Sequence, residues 1–328
     1  MRRFITLLAM VAAMMVSCDK PEPDTTDDEP IYEEKPEPEV PVGSEDDGVL
    51  SILFIGNSFT MDSVTHLPGM IKAAGITDIH MIHMYYGGRL IRQYYDGWDS
   101  YSDYTCYECL PGEDKWTSTK NRNLKAVAGS KDWDIVVIQE HTGNKDAWEW
   151  NSDAVSNFSG LLQCVRSSQK QLPKFHYILS QAYENMSKIG KSSQPSITWT
   201  NRIGMWEVLS TFGRQAMETF KFDGVISTGA MLENLRTTSF NNKMGLTRDG
   251  YHMDLGLARY GASCAVFESL ISPIYDMTLD KNAYRYDVTS TASGKYTTPV
   301  TDVSAPVALQ AARYAIADPY RVTDMSEY

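Results

Sequence analysis

The distribution of apolar and polar positions divides the chain into short buried strands alternating with amphipathic helices. Val49 to Ile55 is a mostly apolar run, rich in β-branched and bulky residues and closed by Gly56, which predicts a buried strand followed by a turn. Leu67 to Ala74 reads as a helix ended by Gly75, and Ile79 to Tyr86 as a second strand running into Gly87 and Gly88. Asp134 to Ile138 is the clearest strand of the chain, Lys174 to Leu179 another, and Asp223 to Ser227 a short fifth. Between them, Asp153 to Gln171 places Val155, Phe158, Leu161, Leu162 and Val165 at helical spacing. Ile203 to Phe220 does the same with Val208, Leu209, Phe212 and Met217. Leu255 to Leu270 predicts a helix whose small residues Ala258, Gly261, Ala262 and Ala265 permit close packing, and Ala305 to Ala317 a last helix with Pro306 in its first turn. The stretch from Tyr94 to Trp116 is aromatic and poorly periodic, and is expected to form a surface excursion. No internal repeat is visible. Strands and helices alternating at these spacings predict right-handed βαβ crossovers, hence a parallel sheet with helices on both faces.

The two hundred and eighty residues from Val49 onward are expected to form one domain, because the first 48 read differently. Arg2 and Arg3 precede thirteen uncharged, mostly apolar residues, Phe4 to Val16, then Ser17 and Cys18. A basic start, a short apolar core and small residues at a cleavage point are the pattern of an export signal, and the core is shorter than the ~20 residues a membrane-spanning helix needs. Met15 to Cys18 resembles a bacterial lipoprotein box, which implies that Cys18 becomes the acylated first residue of an envelope-anchored protein; an ordinary secretory signal containing a cysteine is the alternative. Asp19 to Gly48 holds thirteen carboxylates against Lys20 and Lys35, and six of the fourteen prolines. Such a segment buries too little apolar surface to offset its ordering entropy, and its like charges extend it, so it reads as a disordered tether.

That tether changes the meaning of the overall charge. It supplies −11 of the formal −12 and Arg2 and Arg3 add +2, which leaves about −3 for the folded part. The acidity therefore describes a solvated spacer and not a cation-binding surface, and no basic tract points to nucleic acid. Beyond Cys18 there are only Cys106, Cys109, Cys164 and Cys264, which is not a disulfide framework. Cys106 and Cys109 have the spacing of half a zinc knuckle or a redox pair, yet no second ligand pair stands nearby. A plain loop or a local disulfide is the expectation there, and no metal or organic cofactor is expected.

In doubly wound sheets the ligand sits beyond the carboxyl ends of the strands, which directs attention to the residues just after each one. After the first come Gly56, Asn57, Ser58, Phe59 and Thr60. A serine on a strand-to-helix turn can expose its hydroxyl as a nucleophile, although Ser58 or Thr60 could equally cap the next helix. After the second strand, Gly87 and Gly88 could aim a backbone N–H at an oxyanion or merely relieve a crowded turn. After the third come Gln139, Glu140 and His141; the Gln139 amide could donate to an oxyanion, and His141 is a competing general base. Near the chain's end, Asp249 and His252 are three apart with Gly250 between them, a spacing that lets a carboxylate orient one imidazole nitrogen and leaves the other for a serine. Asp249 or Asp254 could also be simple helix caps.

A strand running into Gly56-Asn57-Ser58-Phe59-Thr60 near the start of the domain, with Asp249, Gly250, Tyr251 and His252 near its end, resembles the SGNH (GDSL-type) hydrolase superfamily. The likeness spans about Val49 to Leu270 and is nearest to a branch of exported Bacteroidetes-type lipoproteins. It implies a three-layer, flavodoxin-like α/β fold around a five-stranded parallel sheet. It also implies a nucleophile at Ser58, an acid–base pair at His252 and Asp249, and an oxyanion hole from Ser58, Gly87 or Gly88, and Gln139. Two departures stand out: Gln139 occupies the place where the family carries an asparagine in a Gly-x-Asn-Asp block, and Asn57 stands where aspartate is usual.

The resulting expectation is a cofactor-free serine esterase of the bacterial envelope, acting on acyl esters of a glycan, acetyl esters foremost. The aromatics Tyr94, Tyr95, Trp98, Tyr101, Tyr104, Trp116, Trp148 and Trp150 could stack on sugar rings, or could pin a large loop to the core. A noncatalytic glycan-binding lipoprotein on the same fold, and a lipase or thioesterase with an apolar acyl channel, are the rival readings.

Overall fold

A computed structural model of the chain describes residues 48–143, 149–184, 201–286 and 297–328, all within the unit Val42–Tyr328. The export signal, Cys18, nearly all of the acidic tether and Trp148 lie outside the described residues. Strand β1, Leu50–Gly56, occupies the middle of the sheet, and its residues from Ser51 to Gly56 are buried, as a strand covered on both faces must be. It pairs in parallel with β2, Ile79–Tyr85, on one side and with β5, Ile135–Gln139, on the other; Ile52 stands opposite both Met81 and Ile135. Strand β6, Lys174–Ile178, and β7, Gly224–Ile226, extend the parallel set beyond β5.

These five parallel strands are the ones expected, but the sheet has seven. Strand β3, Tyr104–Cys109, pairs antiparallel with β2, and β4, Thr117–Arg122, pairs antiparallel with β3, giving the order β4-β3-β2-β1-β5-β6-β7. The aromatic stretch is therefore an integral edge of the sheet and not a surface excursion. Its helix α3, Ile91–Asp96, buries Ile91 and Tyr94, and Tyr94 stacks on Tyr104 with ring centroids 5.3 Å apart. Cys106 and Cys109 both lie on β3 as free thiols. Successive strand residues alternate faces, so positions three apart point to opposite sides and can share neither a disulfide nor a metal. Burial instead pushes both thiols up to about 11.

The helices form two groups about the sheet. Helices α1 (Ser58–Val64), α2 (Leu67–Ala73), α7 (Thr228–Arg236), α8 (Leu257–Leu270) and α10 (Ser304–Ala317) pack together. In α8 the small residues do what their spacing suggested: a Cβ on Gly261 would stand 2.6 Å from Met231 Sδ and 3.5 Å from Ala308 Cβ, so α7 and α10 could not approach as closely. Helix α9, Ser272–Tyr275, is a short turn after α8. The second group comprises α3, α4 (Leu124–Ala128), α5 (Ser152–Ser167) and α6 (Arg202–Phe220). Phe158 of α5 stacks there on Phe220 of α6 at 5.2 Å and meets Phe212 at 6.0 Å. Among the described residues no helix is long and apolar enough to cross a membrane.

Candidate active site

The carboxyl end of β1, between its neighbours β2 and β5, is where the order of the parallel strands reverses, the usual crevice of such sheets. The turn leaving β1 is built without space. A Cβ on Gly56 would lie 2.1 Å from Thr60 Oγ1 and 2.9 Å from Gln139 Oε1, so glycine is required here for the close approach of α1 to β5. Asn57, fully buried, then performs the capping for which Ser58 and Thr60 were alternatives. Its Oδ1 accepts the Phe59 N–H at 3.0 Å, its Nδ2 donates to the Arg89 carbonyl at 3.0 Å, and its own N–H donates to Gln139 Oε1 at 3.2 Å. Ser58, half-buried at the first position of α1, is left free of that duty.

The Ser58 hydroxyl lies 2.8 Å from His252 Nε2, although 194 residues separate them. His252 Nδ1 lies 2.7 Å from Asp249 Oδ2, and Asp249 Oδ1 accepts the backbone N–H groups of His252 at 2.8 Å and Tyr251 at 3.2 Å. Burial pushes the Asp249 carboxyl up, but the hydrogen bonds from the His252 ring and backbone and from Tyr251 outweigh it and hold the group at about 2. Asp249 is thus an anion that fixes the proton of His252 on Nδ1 and leaves Nε2 to accept from the serine. A hydroxyl, an imidazole and a carboxylate linked in this order can generate and regenerate an alkoxide-like nucleophile.

The loop carrying this pair is folded tightly by its own backbone. The Arg248 N–H donates to the His252 carbonyl at 3.0 Å, Thr247 pairs with Met253, and the Gly250 N–H donates to Thr247 Oγ1 at 3.1 Å. Gly250 has φ +94°, in the region that favours glycine. A residue unsuspected from the sequence locks the loop in place. Asp62, fully buried on α1 one turn after Ser58, accepts the Met253 N–H at 2.9 Å, Arg248 Nη1 at 3.0 Å, and Arg259 Nε and Nη2 at 2.8 and 2.5 Å. The only available signal was its spacing from Ser58, which by itself describes an ordinary exposed helix position.

The expected oxyanion donors fare unequally. Gln139 is fully buried and its carboxamide is committed elsewhere: Oε1 accepts from the Asn57 N–H and from Thr60 Oγ1 at 3.0 Å, and Nε2 donates to the Glu140 carbonyl. It braces the turn that presents Ser58 and does not reach toward it, a correction to its expected role. Glu140, also buried, accepts the Ile91 N–H at 3.2 Å and the His141 N–H at 2.6 Å, and so anchors α3 and the strand end. Gly87 and Gly88 form an exposed turn closed by the Arg89 N–H donating to the Tyr86 carbonyl at 3.3 Å. Gly88 has φ +69°, and a Cβ there would stand 4.0 Å from His141 Nε2, whereas Gly87 faces Tyr85. The Ser58 N–H has no hydrogen-bond partner among the described residues.

His141 does not serve as a second base. Its Nδ1 accepts the Gly143 N–H at 3.1 Å, which places the proton of the neutral ring on Nε2. Its ring and that of His252 each pack against Phe59, with centroids 5.4 Å away. Of the aromatics considered for sugar stacking, Tyr94, Trp98 and Tyr104 are buried, Trp116 donates Nε1–H to the Val64 carbonyl at 3.0 Å, and Trp150 packs on Phe212. The first four pin the β3 side of the sheet to the core, Trp150 packs on α6, and Tyr95 and Tyr101 are exposed. Tyr86, just before Gly87 and Gly88, is exposed as well, and the Arg89 guanidinium lies over its ring at 3.7 Å while its nitrogens bind Asp103.

A family model described as a domain of unknown function (DUF4886) matches residues 51–301. The crystal structure of a DUF4886 family protein from Bacteroides uniformis has 21% sequence identity and a TM-score of 0.69, covering 85% of this chain and 99% of that one; the two share a fold. Looser likenesses are a candidate SGNH hydrolase from Slackia heliotrinireducens (15% identity, TM-score 0.40, 65% of this chain and 93% of that one) and a candidate acylhydrolase from Bacteroides fragilis (16% identity, TM-score 0.39, 73% and 91%). No curated protein matches the chain.

Proposed function

The chain belongs to the DUF4886 family, and we propose that it is a serine esterase hydrolysing acyl esters through Ser58, His252 and Asp249. The observation that carries this reading is the continuous hydrogen-bonded line from Ser58 Oγ to His252 Nε2 and from His252 Nδ1 to Asp249, at 2.8 and 2.7 Å. Ser58 Oγ attacks the ester carbonyl as its proton passes to His252 Nε2, and Asp249 stabilises the imidazolium. The tetrahedral oxyanion is met by the Ser58 N–H and an N–H of the Gly87–Gly88 turn. Collapse breaks the bond to the alcohol, which leaves with the proton from His252, and Ser58 holds the acyl group. Water then attacks, His252 takes its proton, and the carboxylic acid departs with the serine restored.

The acyl group we favour is acetyl and the carrier a glycan, for which the exposed Tyr86 ring beside Gly87 and Gly88 offers a stacking face. The cellular setting is the bacterial envelope, with Cys18 acylated and the acidic tether as spacer; fatty-acid labelling that survives Cys18→Ala contradicts the anchor. The esterase reading is tested by turnover of an activated acetate ester. Ser58→Ala is expected to abolish it while leaving the denaturation midpoint within experimental error, and undiminished turnover in that variant refutes the assignment.

A further inference from the structure

With Gln139 turned away, the end of β5 still presents a donor toward the crevice, and the geometry points to His141 as a residue of the oxyanion hole, donating its Nε2–H to the developing oxyanion. This inference rests on the Ser58 esterase reading and deepens it. The ring is fixed on several sides. The Glu140 carboxylate accepts the His141 backbone N–H at 2.6 Å, the Gly143 N–H donates to Nδ1 at 3.1 Å, and the ring lies against Phe59, the residue after Ser58. Gly143 is needed for this placement: a Cβ there would stand 2.7 Å from His141 Cε1 and 2.1 Å from Tyr183 Oη. What is left unengaged among the described residues is Nε2, which faces the Gly88 turn.

A ring held this firmly with its single donor unclaimed has the form of a preorganised hydrogen-bond donor, which is effective because nothing reorganises when charge develops. Burial, with a smaller contribution from a protonated His252, lowers the His141 pKa to about 4. The ring therefore stays neutral at physiological pH, keeps its proton on Nε2, and does not compete with His252 for the Ser58 proton. The arrangement also accounts for the missing asparagine block: a histidine two residues past β5 takes over the side-chain donation that Gln139, committed to Asn57 and Thr60, does not make.

Two variants and one spectroscopic measurement on the native protein test this. His141→Phe keeps a planar ring against Phe59 and removes the donor; turnover of an activated acetate ester should fall roughly 100- to 1,000-fold in kcat with KM little changed. His141→Gln, whose amide nitrogen reaches about as far as Nε2, should recover at least about tenfold of that loss. In the wild-type protein, the His141 Nε2–H resonance should move downfield when a fluorophosphonate places a phosphonyl oxygen in the hole of the Ser58 adduct. A His141→Phe variant that turns over within about threefold of wild type overturns the donor role. A resonance that does not move although Ser58 is phosphonylated overturns it too, and leaves the triad reading intact. A wild-type protein that is not phosphonylated at Ser58 removes the triad reading and this one together.

Discussion

Asp62 accepts the backbone N–H of Met253 at 2.9 Å, across 191 residues of sequence. The contact ties the helix that begins with Ser58 to the loop that ends with His252, and Arg248 and Arg259 neutralise the buried carboxylate from either side of that loop. The distance between the Ser58 hydroxyl and the His252 imidazole is thus set by a buried acid one turn beyond Ser58. A buried charge that loses its partner is destabilising, whereas a satisfied one can specify a single arrangement of the elements it joins.

Asp62→Asn should therefore act on both stability and turnover. Removing the charge between two arginines is expected to lower unfolding stability by about 3 kcal/mol. Loosening the His252 loop should lower kcat by roughly 10- to 100-fold with little change in KM, because small displacements of catalytic groups are costly. Denaturant titration and steady-state kinetics measure the two effects. A variant with unaltered kcat would show that the loop holds its place without Asp62.

Gln139 offers a contrast. As a brace and not a donor, its replacement by leucine should leave the Asn57 N–H and Thr60 hydroxyl unsatisfied and lower stability by about 1–3 kcal/mol for each buried group left unpaired. The folded fraction should keep kcat within about tenfold of wild type, well short of the loss that follows removal of an oxyanion donor. Loss of kcat by two orders of magnitude at unchanged stability would return Gln139 to the hole.

These two residues mark the limit of what the sequence conveys. The serine, the histidine and the aspartate were legible because their residue types recur at strand ends and in a tight loop, where the fold class says to look. The apolar runs of β1 and β5 were legible because strands buried on both faces show no alternation. Helix α7 was not: all nine of its residues are buried, and Glu233, Asn234 and Arg236 among them look in the sequence like solvent-facing positions. Strand β4 was not either: Thr117 to Arg122 is exposed throughout and has no apolar face to reveal it. Asp62 went unnoticed and Gln139 was given another role for a common reason. The same polar side chain serves as a surface group, a brace or a donor according to partners that lie far off in sequence.

Acid sensitivity follows from the buried histidines. Burial lowers His83 from the ordinary 6.5 to about 4, and does the same to His66. Each ring stays neutral in the folded protein but takes up a proton on unfolding below pH 6.5. The stability they contribute is complete above pH 6.5 and is lost as pH falls through 6.5 toward 4, by up to about 1.4 kcal/mol per pH unit for each ring. Asp254, pushed up to about 6 by burial, acts in the opposite sense between its ordinary 3.8 and 6. His83→Leu leaves the Gly56 carbonyl still bonded to Tyr94 Oη at 2.5 Å. The variant should flatten the pH dependence of unfolding stability between pH 6 and 4.5 by about one proton, and a slope equal to wild type would contradict the assignment.

Whether Ser58 is an activated nucleophile is read out by covalent labelling with a fluorophosphonate followed by peptide mass mapping. A single adduct on Ser58 is expected, formed at a rate that falls at least about 1,000-fold in His252→Ala. A protein that remains unlabelled under conditions where a known serine hydrolase is fully modified, or one labelled at another residue, would contradict it.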